Sequence, residues 1–122
     1  MSVRRTAFLW LVLVGALAFG WAGAGEAAPP GPIVLTIKGH RFEPGEIAAP
    51  AGQRLTIQVR NLDATPEEFE SYDFKVEKIV VSRGTITVLV GPLKPGLYKF
   101  FGDYNPDQAK GVLRVGPPSG RK

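Results

Sequence analysis

The chain has 122 residues, of which 44% are hydrophobic, with a formal net charge of +4 and no cysteine. This length suits a single domain, and the lack of cysteine excludes disulfide bonds, thiolate metal ligands and thiol catalysis. Lysine and arginine are scattered along the chain rather than clustered, so we do not expect a nucleic-acid partner.

The first 27 residues have the order of a secretory signal peptide. Arg4 and Arg5 precede an apolar run over residues 7–21, and small residues follow it. Cleavage after Ala27 suits this pattern, and cleavage after Ala24 is the alternative. An uncleaved anchor is the competing interpretation, because the apolar stretch approaches the ~18 residues that span a bilayer. Both interpretations predict an exported domain that meets the membrane only through this segment, if it is retained.

Cleavage after residue 27 would leave a domain of 95 residues with a formal charge of +3. That domain would contain no sulfur and no tryptophan, because Met1, Trp10 and Trp21 lie in the signal. A chain of this size buries only roughly 60–65% of the surface that its unfolded form exposes. Since it has no disulfides, its stability must come from the apolar core. We divide it into a proline-rich lead-in over residues 28–32, a domain over residues 33–116 and a flexible tail over residues 117–122.

Short segments that alternate between apolar and polar residues predict strands along most of the domain. Proline and glycine turns separate them, and no window carries a helical stripe. Six or seven such strands predict an all-β antiparallel sandwich. The predicted strands cover residues 33–38, 46–49, 55–60, 74–82, 85–90, 97–101 and 111–115. The expected core rows are Ile33, Leu35 and Ile37; Leu55, Ile57 and Val59; Ile86, Val88 and Val90; and Tyr98 and Phe100.

Three carboxylates lie within four residues directly after the third predicted strand. Glu67, Glu68 and Glu70 surround Phe69 in what we interpret as a turn. In an extended segment Glu67 shares a side with Phe69, opposite the other two acids; in a helical turn Glu67 pairs with Glu70. Crowded carboxylates raise one another's pKa unless a cation lies among them, and oxygen ligands suit Fe(III), Mn(II), Ca²⁺ or Mg²⁺. A solvated acidic turn is the simpler interpretation.

Three further residues could supply ligands to the same ion. His40, the only histidine, is either an exposed residue at the end of the first strand or a nitrogen ligand. Glu77 is either half of a surface charge pair with Lys78 or an oxygen ligand. Asp103 lies in a polar loop, where it serves either the turn itself or the metal site.

Two segments near the C-terminus, taken with the acidic segment, resemble the C-terminal half of a cupredoxin: residues 95–101 (PGLYKFF) and residues 111–115 (GVLRV). Five segments, in their order along the chain, further resemble the periplasmic cupredoxin-like proteins of bacterial iron-uptake systems, the EfeO-type group. They are residues 40–44 (HRFEP), 50–52 (PAG), 67–71 (EEFES), 77–78 (EK) and 92–96 (PLKPG). The resemblance covers roughly residues 33–115. It implies a Greek-key sandwich, a periplasmic location, and an inner-membrane iron permease or another uptake component as partner.

The sequence departs from this family at each position that would hold copper. A blue-copper site needs two histidines and a cysteine, usually with a weak axial methionine. The resemblance places Glu67 and Asn105 at the histidine positions, Gly102 at the cysteine, and Gln108 or Ala109 at the methionine. Type 1 copper and blue-copper electron transfer are therefore excluded.

We expect an accessory protein that binds or presents a single metal ion. The expected ion is iron, in preference to other hard or borderline metals. We do not expect an enzyme, because one histidine is the only available base and a sulfur-free site has no evident way to pass on an electron. The alternative is a metal-free interaction domain that uses the acidic turn. The predicted metal ligands are Glu67, Glu70 and His40, with Glu68, Glu77 and Asp103 as further candidates.

Overall fold

A computed structural model describes residues 31–118 of the protein. Every regular element in this range is a strand, and none of it forms a helix that could cross a membrane. The signal-peptide assignment, most of the lead-in and the last four residues of the tail lie outside the described range. The nine strands are β1 (Ile33–Lys38), β2 (Arg41–Glu43), β3 (Glu46–Pro50), β4 (Leu55–Asn61), β5 (Glu67–Ser71), β6 (Val76–Val80), β7 (Thr85–Val90), β8 (Gly96–Gly102) and β9 (Lys110–Gly116).

The strands form two sheets, one of four strands in the order β2-β1-β4-β7 and one of five in the order β3-β9-β8-β5-β6. The predicted all-β sandwich is thus confirmed. Two of the strand pairs, β1 with β4 and β3 with β9, are parallel, so both sheets are mixed rather than purely antiparallel. This arrangement places β5 beside β8 in the interior of the larger sheet, next to the edge strand β6.

The core lies between the sheets and includes the predicted alternating rows, together with buried residues that were not predicted, such as Phe42, Phe69 and Leu113. Most side chains of the predicted rows are buried, while Ile33, Ile86 and Tyr98 pack against the core from its margin. A strand buries every second residue when one face of its sheet is covered, which is why the period-2 pattern located these rows.

Three phenylalanines join the two sheets. Phe42 comes from β2 in the smaller sheet, and Phe69 and Phe100 come from β5 and β8 in the larger one. Their ring centroids lie 5.1–5.9 Å apart, within the range of favourable aromatic pairs. Phe69 is completely buried and therefore points into the core. Because successive side chains of a strand alternate between its two faces, this orientation determines the face on which each other side chain of β5 lies.

Candidate metal-binding site

β5 carries acids on both of its faces. Glu67 and Phe69 point into the sandwich, while Glu68 and Glu70 are half-buried on the outer face. The predicted turn is therefore a strand, and the extended alternative describes it correctly. The prediction that Glu67 and Glu70 converge on one ion is therefore wrong, because successive residues of a strand point to opposite sides, and residues three apart lie on opposite faces.

Two buried polar residues fix the ends of β5. At its start, the Asn61 amide Nδ2 donates to the carbonyls of Thr65 (2.8 Å) and Val80 (3.2 Å), which braces the turn from β4. At its end, the Ser71 hydroxyl donates to the Lys99 carbonyl at 2.6 Å and accepts from the Phe74 amide at 3.2 Å. Nothing in their sequence context distinguishes these two residues from ordinary turn residues.

The outer face of β5 meets an acid from the loop between β8 and β9. The Asp103 amide donates to the Glu68 carbonyl at 2.9 Å, which brings the Asp103 side chain beside β5. Ligand oxygens of Glu68, Glu70 and Asp103 all lie within 4.8 Å of one another. We call these three residues the carboxylate cluster. All three were predicted as ligand candidates, and their oxygens are of the type that hard cations prefer.

Glu77 lies at the margin of the cluster. It pairs in register with Glu70 across the β5–β6 ladder, so like charges face each other on the sheet. Its hydrogen bond to Glu68 is the largest cause of the raised pKa of Glu68, followed by desolvation and the charges of Glu77, Asp103 and Glu70. Desolvation first, then Glu77 and Asp103, raises the pKa of Glu70.

Two tyrosines beside the cluster, Tyr72 and Tyr104, also have raised pKa values. The charge of Glu70 is the main cause of the raised pKa of Tyr72. Desolvation, and then the charge and the hydrogen bond of Glu68, raise the pKa of Tyr104. The cluster is therefore a place where a proton or a cation is attracted.

The inward acid, Glu67, is only 1% exposed and has a different environment. Its Oε1 accepts hydrogen bonds from the Glu68 amide (3.0 Å) and the Tyr104 amide (2.9 Å), and its Oε2 accepts from Asn105 Nδ2 (2.8 Å). Three donors thus satisfy the carboxylate within the protein. Glu67 connects β5 to the β8–β9 loop, and its role as a metal ligand stays a prediction.

The positions that the resemblance assigned to copper ligands do meet in space. Glu67 is hydrogen-bonded to Asn105, and a Cβ atom at Gly102 would lie 2.5 Å from Glu67 Cδ and 2.8 Å from Ala109 Cβ. The carboxyl group of Glu67 fills the space that a side chain at position 102 would need. The residues present do not fit a type 1 copper site, because the thiolate position holds no side chain and the Glu67 oxygens are already bonded.

His40 lies in the turn between β1 and β2 and not in the carboxylate cluster. Gly39 and His40 both have φ near +60°, and their amides donate to Asp63 Oδ1 (2.8 Å) and Oδ2 (2.9 Å). His40 Nδ1 lies 3.8 Å from Asp63 Oδ2. The His40 amide bond is the largest cause of the lowered pKa of Asp63. Here the histidine serves a tight hairpin turn, and its metal ligation stays a prediction.

The sequence model of the family described as "Cupredoxin-like domain" matches residues 8–115 of this chain. Among curated proteins, an uncharacterized protein of Rickettsia prowazekii (strain Madrid E) is 41% identical over 83 residues, which is 68% of this chain. The match covers 66% of that relative, so this chain spans about two thirds of its length.

Similar solved structures include auracyanin A, described as a "blue" copper protein, from the green thermophilic photosynthetic bacterium Chloroflexus aurantiacus. It has a TM-score of 0.61 and 16% identity, covering 73% of this chain and 100% of that one. Amicyanin from Paracoccus versutus has a TM-score of 0.57 and 16% identity, covering 73% of this chain and 85% of that one. At these identities the likeness concerns the fold alone.

Proposed function

Because this chain belongs to the family of cupredoxin-like domains and lacks the residues for a blue-copper site, we propose that it binds a hard metal ion at its surface. The carboxylate cluster of Glu68, Glu70 and Asp103 is the site. In the cell the protein acts as an exported accessory component of iron uptake, presenting the ion to a permease or to another periplasmic component. The observation that carries this proposal is the approach of three carboxylate oxygens within 4.8 Å.

The electrostatics of the cluster favour cation binding over an empty site. The hydrogen bond with Glu77 and then desolvation raise the pKa of Glu68, desolvation raises that of Glu70, and the charges of Glu77 and Asp103 add to both. A bound cation would replace this repulsion by attraction, and oxygen ligands suit Fe(III), Mn(II) or Ca²⁺. Asp103 is exposed, so the ion would keep open coordination positions through which a partner could take it. Such a site suits transfer of the ion rather than its permanent storage.

The choice of iron and of the periplasm rests on the sequence. The EfeO-type resemblance supports iron as the cargo, and the signal-like residues 1–27 support export. In this role the cluster binds the ion and releases it unchanged, without a catalytic step.

Calorimetric titration of the domain with Mn(II) and with Fe(III)-citrate at neutral pH tests the proposal. We expect binding tighter than millimolar, and Glu70→Gln should weaken it tenfold or more, about 1.4 kcal/mol, because it removes one of three charged ligands. Glu43→Gln is the matched control, since it removes the same charge from an exposed strand residue outside the cluster. Equal affinities for the two variants would contradict the assignment.

The affinity should depend on pH in a predictable direction. Because the pKa values of Glu68 and Glu70 are raised above the ordinary 4.5, their protons compete with the ion at pH values above 4.5. Metal affinity should therefore fall as the pH is lowered toward 4.5, and the stability of the metal-free protein should rise over the same window, since protonation removes repulsion. Titrations at several pH values measure the first effect, and urea unfolding measures the second. An affinity that is flat over this window would count against the cluster.

One observation favours the alternative of a metal-free interaction domain. Tyr72 is 74% exposed and Tyr104 is 47% exposed, and each interacts electrostatically with the cluster. Exposed aromatic rings beside carboxylates suit a lysine or arginine of a basic protein surface. If no ion binds more tightly than millimolar, this alternative replaces the metal proposal.

A further inference from the structure

A groove of about 500 Å³ lies on the outer face of the larger sheet, next to the carboxylate cluster. This volume falls within the range of small-molecule sites. The turn between β2 and β3 forms one wall, and the β8–β9 loop forms the other. The residues that shape it are Gly45, Lys99, Phe101, Pro106, Lys110 and Val112.

The floor of the groove is apolar and its charged side chains are both cationic. Phe101 and Val112 are half-buried, while Lys99 and Lys110 are exposed. Within residues 31–118 neither lysine ammonium forms an ion pair: Glu46 of the adjoining strand β3 is paired with Arg114, and Asp73 accepts a hydrogen bond from the Lys99 backbone amide at 2.7 Å. A carboxylate group would supply the missing counter-charge, and an aromatic ring would cover the apolar floor.

The strand register connects the groove directly to the carboxylate cluster. Phe101 pairs with Glu70 of β5 on one side and with Lys110 of β9 on the other. Neighbouring strands lie about 4.8 Å apart, so the Cα atoms of Glu70 and Lys110, which are two strands apart, are separated by about 10 Å across the sheet. A ligand the size of one substituted benzene ring could therefore contact a lysine at one end and an ion held by the cluster at the other.

We propose that this groove binds the organic part of a metal chelate, namely a small aromatic carboxylate whose opposite end holds the ion. The apolar floor of the groove would bind the ring, and its two lysines would bind the carboxylate. The placement of the ion rests on the function proposed above. The ligand that the protein recognises is then a chelate with a free carboxylate and not a bare ion, and its affinity should exceed that of either part alone because both ends are anchored.

The test uses 3,4-dihydroxybenzoate, which carries a carboxylate at one end of its ring and a metal-chelating catechol at the other. Amide shifts of Gly111 and Val112 in NMR spectra would follow the titration, with and without Ga(III) as a diamagnetic substitute for Fe(III). We expect Lys99→Gln/Lys110→Gln to weaken binding of the metal-free compound tenfold or more. Catechol, which lacks the carboxylate, should bind no better to the native protein than to this variant. Lys38→Gln/Lys94→Gln removes the same charge elsewhere and should change the affinity less than twofold.

The outcomes separate the two proposals. If Lys99→Gln/Lys110→Gln and Lys38→Gln/Lys94→Gln change the affinity for the metal-free compound equally, the groove assignment is overturned, with or without Ga(III). If the lysine groove binds the metal-free compound but Ga(III) adds no affinity and leaves the amides of Glu68 and Asp103 unshifted, the groove stands and the proposed metal site fails. If Ga(III) alone shifts those amides but the chelate binds independently of the lysines, the metal site stands and the groove inference fails.

Discussion

Glu67→Ala should lower the free energy of unfolding by about 2–4 kcal/mol, a large share of the stability of a domain this small. The substitution leaves three donors without an acceptor: the Glu68 amide, the Tyr104 amide and the Asn105 side chain. A buried donor without a partner costs about 1–3 kcal/mol, and water that reaches these partly buried donors reduces this cost, while the vacated volume adds to it. Urea unfolding measures the effect. Glu43→Gln, an exposed acid, should stay within about 0.5 kcal/mol of the native protein.

A reciprocal exchange tests whether the hydrogen bonds themselves are responsible. Asn105→Asp sets two carboxylates against each other, whereas Glu67→Gln sets an amide against the Asn105 amide, which can turn its Oδ1 toward the new nitrogen and keep one hydrogen bond. Asn105→Asp should therefore be the more destabilised of the two single variants. The double variant Glu67→Gln/Asn105→Asp restores one donor and one acceptor and should recover at least half of the combined loss. A double variant that is as unstable as the sum of the two singles would show that Glu67 does not act through this bond.

Gly102→Ala should cost about 2–3 kcal/mol although it adds only one methyl group. The new Cβ would lie 2.5 Å from Glu67 Cδ and 2.8 Å from Ala109 Cβ. Neither neighbour can withdraw easily, because three hydrogen bonds hold the Glu67 carboxyl group and Ala109 is completely buried. Something in the core must therefore shift. Urea unfolding again provides the measurement.

Gly96→Ala is the matched control on the same strand, since its Cβ would meet only Tyr98 Cε2 at an ordinary 3.6 Å. In a Glu67→Ala background, Gly102→Ala should cost clearly less than in the native protein, because the nearest of the two obstructing groups is gone. If the cost of Gly102→Ala is the same in both backgrounds, the Glu67 carboxyl group is not what requires a glycine at this position.

The sequence predicted most of the fold because the sandwich buries one face of each sheet. β1 and β7 begin and end at the predicted residues, and β4 and β9 differ by one residue at one or both ends. β2 was missed, because three residues are too few for alternation to be visible. Residues 67–71 are predicted as a turn but form β5, because two of the three inward residues of this strand, Glu67 and Ser71, are polar and obscure the alternation.

The candidate site was predictable only in part. Glu68, Glu70 and Asp103 were all named as candidate ligands, but which acids meet depends on the register between β5 and β8, which local sequence does not fix. The Glu67 carboxylate is hydrogen-bonded to Tyr104 and Asn105, which lie 37 and 38 residues further along the chain, and the Tyr104 donor is a backbone amide. No local pattern marks such a bond. His40 was weighed as a ligand because it is the only histidine, whereas its surroundings are those of a turn.

Paramagnetic broadening by Mn(II) in the ¹⁵N-labelled domain tests the central claim most directly, because it locates the ion as well as detecting it. At substoichiometric Mn(II), the amides of Glu68, Glu70 and Asp103 should broaden first and Glu43 should stay sharp. Glu70→Gln should strongly reduce the broadening at the same Mn(II) concentration. This result would place a metal ion at the carboxylate cluster. Broadening that centres on His40 and Asp63 instead, or that persists unchanged in Glu70→Gln, would contradict the account.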